Sequence, residues 1–523
     1  MVSYLGGDGM KRYQSLMDTL RLPLKILFVA FLFVGIGYLV HNESVNLFYT
    51  IKNRNIILLS EILYLVGSFL IINFPFIVLI KIVSRKNNSS INVISGIIGY
   101  VVFLIVMMFF SSSDLPPLSF QPILGIQYLS TYSQTYTVRY PVQVGILATL
   151  VVGFCTRVSY ARSRKRSSYS LMLFIDNDTW AILSNLVYCS IAAFITALFW
   201  PSFDKFIQMA VNFVAQDITN PMSLFVYGVA DRITSVMGIN HLIRDPFWYD
   251  SLGGTWLSLA GESFAGDLNV WIAMANQNVV STGFGRFITP YYILNIFAVP
   301  SLLISLYFLY TDKIERRKIR LFLILAMIVS IFTGILLPVE IALLVLSPLL
   351  FFLHMLITGS LFAVLQILKV YLGFKYTGDV VTALPGSLPD LLVYLRDPNY
   401  ARTISLIFMI GIVIFVVYYV LIQVFFKYLA FDLLNTGKTQ RIVDGLSQAV
   451  GGVDNIKVIH ASPLRLTVQV NDITLINFDE ILKLGALRVV ETRAGFAMVF
   501  GASSIMIRRF MIKKIAESKR VDS

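Results

Sequence analysis

Nine stretches of this chain are apolar over the length a helix needs to cross a bilayer, about 20 residues, and no other feature restricts its fold so strongly. They run roughly over Pro23 to Val40, Ile56 to Val83, Ile91 to Phe110, Pro141 to Val158, Trp180 to Trp200, Tyr291 to Tyr310, Arg320 to Leu337, Glu340 to Leu372 and Ile404 to Leu429. Two further stretches are weaker: Phe203 to Ala215 is amphipathic, and Met222 to Ile243 is interrupted by charge. With 57% apolar and 14% charged residues over 523 positions, this material is more than one water-soluble core can hide. The expected body is a bundle of membrane helices.

The formal net charge of +13 raises nucleic acid as a partner, but the basic residues flank the apolar runs instead of gathering on one soluble domain. Lys81, Arg85 and Lys86 follow the second run, Arg157 through Arg166 the fourth, and Lys313 through Arg320 lie between two later ones. Such segments face the cytoplasm. The Ser111 to Val138 loop, free of Lys and Arg, is expected outside. Parity then fails, because three apolar runs separate residues 313–320 from a basic C-terminal segment. One of them should be re-entrant or broken, and the position that fits is Pro338. Non-helical backbone at that depth lines a cavity or is buried in protein.

The N-terminal 22 residues, with Lys11, Arg12 and Arg21, read as an interfacial segment before an uncleaved first helix. Cys155 and Cys189 both fall in apolar runs, so neither a disulfide framework nor a metal site is implied, and no cofactor is expected. Ionisable side chains are costly in a membrane interior, at least about 2.5–3.5 kcal/mol each, which singles out Arg232, His241 and Glu340. His354, in a very apolar run, is expected to be a packed histidine with one hydrogen bond. The last ninety residues are different in character. They predict a helix near 438–450, strands near 456–460 and 466–470, a helix near 478–484, strands near 488–492 and 497–500, and a basic closing helix.

Three stretches of the body carry a resemblance. Asp231-Arg232-Ile233-Thr234-Ser235-Val236-Met237-Gly238-Ile239-Asn240-His241 looks like N-R-L-x-x-P-x-G-L-H-H, and Thr333-Gly334-Ile335-Leu336-Leu337-Pro338-Val339-Glu340 looks like T-G-I-T-E-P-I-E. Pro348 to Gly359, PLLFFLHMLITG, is similar to P-L-L-x-x-x-H-A-x-x-T-G. In this order they resemble the IIC domain of bacterial phosphotransferase sugar permeases of the glucose, N-acetylglucosamine and maltose branch. The segment His460-Ala461-Ser462-Pro463-Leu464-Arg465-Leu466-Thr467 is similar to the D-A-C-x-T-R-L-R turn of the IIB domain, which presents a phosphorylated cysteine.

The resemblance implies a polytopic α-helical membrane protein of about eight to ten helices with re-entrant elements, followed by a small C-terminal α/β cytoplasmic domain. Residues 1–431 would be the sugar-transport domain, 432–437 a linker and 438–523 the IIB-like domain. It further implies a homodimer in the bacterial plasma membrane that binds a hexose or hexose-containing sugar and works with IIA or IIB proteins, with no role for nucleic acid. Arg232, Asn240, His241 and Glu340 are the expected sugar contacts, and Ser462 and Arg465 occupy the catalytic turn.

Several positions depart from the pattern. Leu337 replaces the first motif Glu, which accepts hydrogen bonds from sugar hydroxyls, and Asn240 replaces the first of two histidines, keeping hydrogen bonds but losing proton exchange near neutral pH. Ser462 stands where the family has its cysteine. A thiol ionises near ~8.5, whereas serine needs an adjacent base to become a nucleophile. Thr467 replaces the second arginine of the turn. Three readings follow: a permease served by a separate IIB protein, a facilitator decoupled from phosphorylation, and a sensor that moves no sugar.

Overall fold

The computed structural model describes residues 7–41, 52–84, 90–111, 115, 119–132, 135–165, 176–281, 283–334, 336–374, 386–395, 397–426, 436–492 and 495–521. Among them, seven helices are long and apolar enough to span a membrane: Leu22–Val40, Arg54–Ile72, Ser90–Phe110, Asn177–Gln216, Thr289–Leu309, Pro348–Ile367 and Pro398–Val424. Two shorter apolar helices, Phe74–Ser84 and Leu337–Leu346, accompany them.

The apolar runs mark where helices lie better than where they stop. The first helix, Gly7–His41, continues through Pro23 as one element. The run from Ile56 to Val83 is divided at Asn73, whose side chain donates to the Phe69 carbonyl at 2.8 Å and accepts from the Leu124 amide at 2.8 Å; a polar residue that recruits a partner from another segment, followed by Pro75, breaks the ladder. The run ending at Trp200 extends instead through Pro201 into a 40-residue helix, Asn177–Gln216, which absorbs the amphipathic 203–215 stretch. Lys313 through Arg320 form the first turns of the Lys313–Thr333 helix, where a loop was expected. Near Pro338 the expected interruption is present. Gly334, at φ 68°, caps the preceding helix in the left-handed region that glycine tolerates. A ten-residue helix, Leu337–Leu346, follows, then a break at Ser347 and the Pro348–Ile367 helix.

The chain divides into two compact units. One comprises residues 19–292 and 355–404. Its core includes Leu79, Tyr100, Phe103, Met107, Val152, Ala193, Trp200, Ile239 and Leu242, with the Ser90–Phe110 and Asn177–Gln216 helices packed along each other. Gly99 permits this approach, since a Cβ there would lie 2.6 Å from Asn185 Nδ2 and 2.9 Å from Cys189 Sγ. Small residues at such contacts are how helices associate where lipid supplies no hydrophobic drive. Residues 111–138, expected as an outward loop, overlap an antiparallel pair, Tyr128–Tyr132 with Thr135–Arg139.

The other unit comprises residues 1–18, 293–354 and 405–523. Its C-terminal part carries a four-stranded antiparallel sheet in which Ile456–Ala461 pairs Arg465–Val470, Arg465–Val470 pairs Gly495–Val499, and Gly495–Val499 pairs Arg488–Thr492. Helices Thr436–Ala449, Phe478–Lys483 and Ser504–Val521 accompany it. Leu466 and Val468 are buried together with Phe496 and Met498, a period-two face along the Arg465–Val470 strand, whereas Gly495 through Met498 are buried throughout.

Candidate functional site

In the first of these units, the Pro221–Met237 helix stops at Gly238, at φ 74°. The turn is fixed by close packing: a Cβ on Gly145 would fall 2.2 Å from the Met237 carbonyl oxygen. The chain re-enters as the short His241–Trp248 helix, so Asp231 and Arg232 on one helix meet Arg244 on the next. The Asp231 carboxylate accepts from Arg244 Nε at 2.7 Å and from the Tyr291 hydroxyl at 2.5 Å, and it is paired with Arg232 as well. Arg232 also donates to the Tyr291 oxygen at 2.8 Å. The Arg244 guanidinium lies 5.1 Å from the Trp248 ring centroid and 5.4 Å from that of Tyr291, contacts that favour a cation removed from water. All of these side chains are buried. Two guanidiniums share one carboxylate in this network.

The network places His241. Positions three apart share a helix face, so Arg244, fastened to Asp231, fixes the face that carries the imidazole one turn earlier. His241 is 1% exposed, and neither ring nitrogen has a hydrogen-bond partner among the described residues. Polar groups buried to this extent are nearly always satisfied, so His241 stands out within this unit. Asn240, also buried, precedes the helix without its side chain capping it. Sequence reasoning singled out Arg232, Asn240 and His241 as expected sugar contacts but passed over Asp231, Arg244 and Tyr291, which the structure joins to Arg232. One acid and two bases within fourteen otherwise weakly polar residues was the available signal.

Glu340 belongs to the second unit and has its own partners. Its Oε1 lies 3.3 Å from His354 Nε2, and His354 Nδ1 lies 2.6 Å from the Tyr418 hydroxyl. His354 therefore makes two hydrogen bonds, where its apolar surroundings suggested one. Leu337 opens the same short helix and is half-buried.

The turn after Ile456–Ala461 is closed from within. The Ser462 amide donates to the Arg465 carbonyl at 2.8 Å, and the Arg465 amide donates to Ser462 Oγ at 3.2 Å. Ser462 is buried. A hydroxyl engaged by the adjacent backbone is stabilising a turn, and Pro463 stiffens it further. Next to it, Thr311 and Ala461 exchange bonds: the Thr311 amide donates to the Ala461 carbonyl at 3.0 Å and the Ala461 amide to Thr311 Oγ1 at 2.7 Å. This joins the edge of the sheet to the connection between helices Thr289–Leu309 and Lys313–Thr333. The outer helices are linked through Lys514, which donates to Asp444 at 2.6 Å and to Ser447 at 2.9 Å. That bond holds the Asp444 carboxyl below the usual carboxylate range, while burial pulls the Arg508 guanidinium down.

Buried charge networks inside a bundle of apolar helices define an integral membrane protein with a polar interior, as a carrier of hydrophilic solutes requires. Residues 17–359 match the phosphotransferase system EIIC family, and the chain belongs to that family: it is a multi-pass, sugar-specific membrane permease of the phosphotransferase system, the component that works with IIA and IIB partners. Among solved structures, the chain is similar to the crystal structure of the transporter ChbC, the IIC component from the N,N'-diacetylchitobiose-specific phosphotransferase system, at 12% identity with a TM-score of 0.30, over 79% of this chain and 93% of that one. That likeness is too distant to transfer residue roles.

Proposed function

We propose that this permease takes a hexose or hexose-containing sugar of the glucose, N-acetylglucosamine and maltose branch, and that phosphoryl transfer is performed by a separate IIB protein. The single observation that carries the second half is the Ser462 turn. Its hydroxyl is bonded to the Arg465 backbone, and the only cysteines of the chain are Cys155 and Cys189, so the segment 438–523 has no thiol to phosphorylate. In this reading residues 1–431 carry the sugar, 432–437 link, and 438–523 is a IIB-like domain retained without its chemistry; Ser462 and Arg465 mark the former catalytic turn. The molecule works as a homodimer in the plasma membrane.

Sugar contact is assigned to Arg232, Asn240 and His241, supported by a buried imidazole that has no hydrogen-bond partner among the described residues and lies beside an ion network. Glu340 is the remaining sugar contact that the sequence resemblance implies, and its engagement with His354 makes it the least independent of the four. The engaged Ser462 hydroxyl equally favours a facilitator that moves sugar without phosphorylating it. Uptake of labelled glucose, N-acetylglucosamine and maltose into vesicles separates the two, with and without a phosphoenolpyruvate-driven phosphorylation system containing a separate IIB protein. Accumulation of phosphorylated sugar only when that protein is present supports the trans reading; equilibration of free sugar in its presence supports the facilitator.

A further inference from the structure

We infer that Glu340, His354 and Tyr418 form a proton-binding relay inside the membrane helices, and that its protonation state is linked to sugar movement. Each of three apolar helices contributes one member. Glu340 is the sole titratable group of Leu337–Leu346 and His354 the sole one of Pro348–Ile367, while Ala401–Val424 contributes Tyr418. The other titratable groups on that last helix are Tyr419, half-buried, and Arg402, exposed. Elsewhere in the same unit, Val299–Leu309 holds only Tyr307, and the stretch from Leu321 to Thr333 holds none. The three members are each 3% exposed or less.

With Glu340 ionised, the direction of the bonds follows. A carboxylate has no hydrogen to give, so at 3.3 Å the Nε2–H of His354 donates to Glu340; Nδ1, the free acceptor of the neutral ring, then receives the Tyr418 O–H at 2.6 Å. One added proton converts this to Nδ1–H donating to the Tyr418 oxygen, with the tyrosine hydrogen turned to another acceptor, and the Glu340–His354 pair changes from a net charge of −1 to zero. No bond to carbon breaks and no co-reactant is required. A change of net charge in apolar surroundings alters the energy of any movement that changes those surroundings. Chains of carboxylate and histidine at membrane depth are recognised proton paths for this reason. The relay also lies on both sides of the break at Ser347, so it bridges two helices that the break separates. The inference rests on the family's sugar movement but not on which IIB protein phosphorylates.

The test uses the full chain in proteoliposomes, with counterflow of labelled glucose, N-acetylglucosamine and maltose measured across pH 5–8 and the imidazole and carboxylate bands of the same samples followed by infrared difference spectroscopy. The expected result is an imidazole band that titrates in the wild type and is absent in His354→Gln, with an accompanying carboxylate shift that is absent in Glu340→Gln, together with a flux that changes about tenfold per pH unit on one side of the transition, as linkage to one proton requires. His354→Gln should flatten the flux profile. Tyr418→Phe, which keeps the ring packing, should shift its midpoint while leaving the fold intact by size-exclusion chromatography. Sugar flux that is flat in pH, or a profile unchanged in Glu340→Gln and His354→Gln, overturns the relay and leaves the permease standing. A titrating His354 band without flux of any of the three sugars at any pH supports the proton site while counting against the proposed sugar branch.

Discussion

Replacing Asp231 should damage this protein more than replacing either of its cationic partners. In the wild type one carboxylate pairs with both Arg232 and Arg244 and accepts from Tyr291, all out of water. Asp231→Asn keeps the shape but leaves two guanidiniums facing an amide, and removing one partner of a buried ion pair costs about 3–5 kcal/mol. Arg244→Met is different. It forfeits the 2.7 Å bond, a charge-assisted bond worth about 1.5–3 kcal/mol, and leaves Asp231 with Arg232 and Tyr291 as donors, so no charge is orphaned. The double variant Asp231→Asn/Arg244→Met should cost less than the two changes added, by about 0.5–3 kcal/mol, because the second change removes a cation that the first had stranded. Denaturant unfolding in mixed micelles, followed by tryptophan fluorescence, measures all three; Trp248 lies 5.1 Å from the Arg244 guanidinium. The reasoning fails if Arg244→Met costs as much as Asp231→Asn, or if the two effects simply add.

Four more outcomes are expected. His241→Leu should leave stability unchanged or raised, since both ring nitrogens lack partners among the described residues, while sugar titration on detergent-purified protein shows binding about ten- to a hundredfold weaker; unchanged affinity would remove His241 from the sugar site. Ser462→Cys should acquire no thiophosphate from phosphorylated upstream proteins, because the turn is still closed by backbone bonds and Thr467 still lacks a guanidinium, and mass spectrometry that detects thiophosphate would contradict this. Thr311→Val removes the acceptor of the Ala461 amide, an unmet bond of about 1–3 kcal/mol, and should speed hydrogen exchange at that amide with little change in the rest of the sheet. Asp444 titrates below its ordinary 3.8 because Lys514 bonds its charged form, so its contribution is present above that pH and is lost as pH falls through the lower folded value; the C-terminal helix of Lys514→Met should show less acid softening below about pH 4 than the wild type, and an identical acid profile would count against the bond.

The apolar runs by themselves determined that this is a membrane protein, because bilayer thickness fixes how many consecutive apolar residues a span needs and the sequence contains that number repeatedly. They also located the break near Pro338, through a mismatch between charge and crossing number, and the tail, where period-two and helical patterns follow one another closely enough to place every strand of the sheet. Spans were less legible where polar residues act through distant partners. Asn73 divides a continuous apolar run because Leu124 supplies an amide, and Pro201 fails to end a helix whose packing continues on both sides. The same limit held at the site. Arg232 and His241 stood out as costly residues in apolar context, yet only the fold shows that Arg232 shares Asp231 with Arg244, that His241 has no hydrogen-bond partner among the described residues, and that Glu340 is joined through His354 to Tyr418. Membrane partition is a sum over neighbouring residues and can be read along a line. Charge pairing and hydrogen-bond satisfaction depend on atoms brought within about 3 Å from segments tens of residues apart, and that is decided only when the chain is folded.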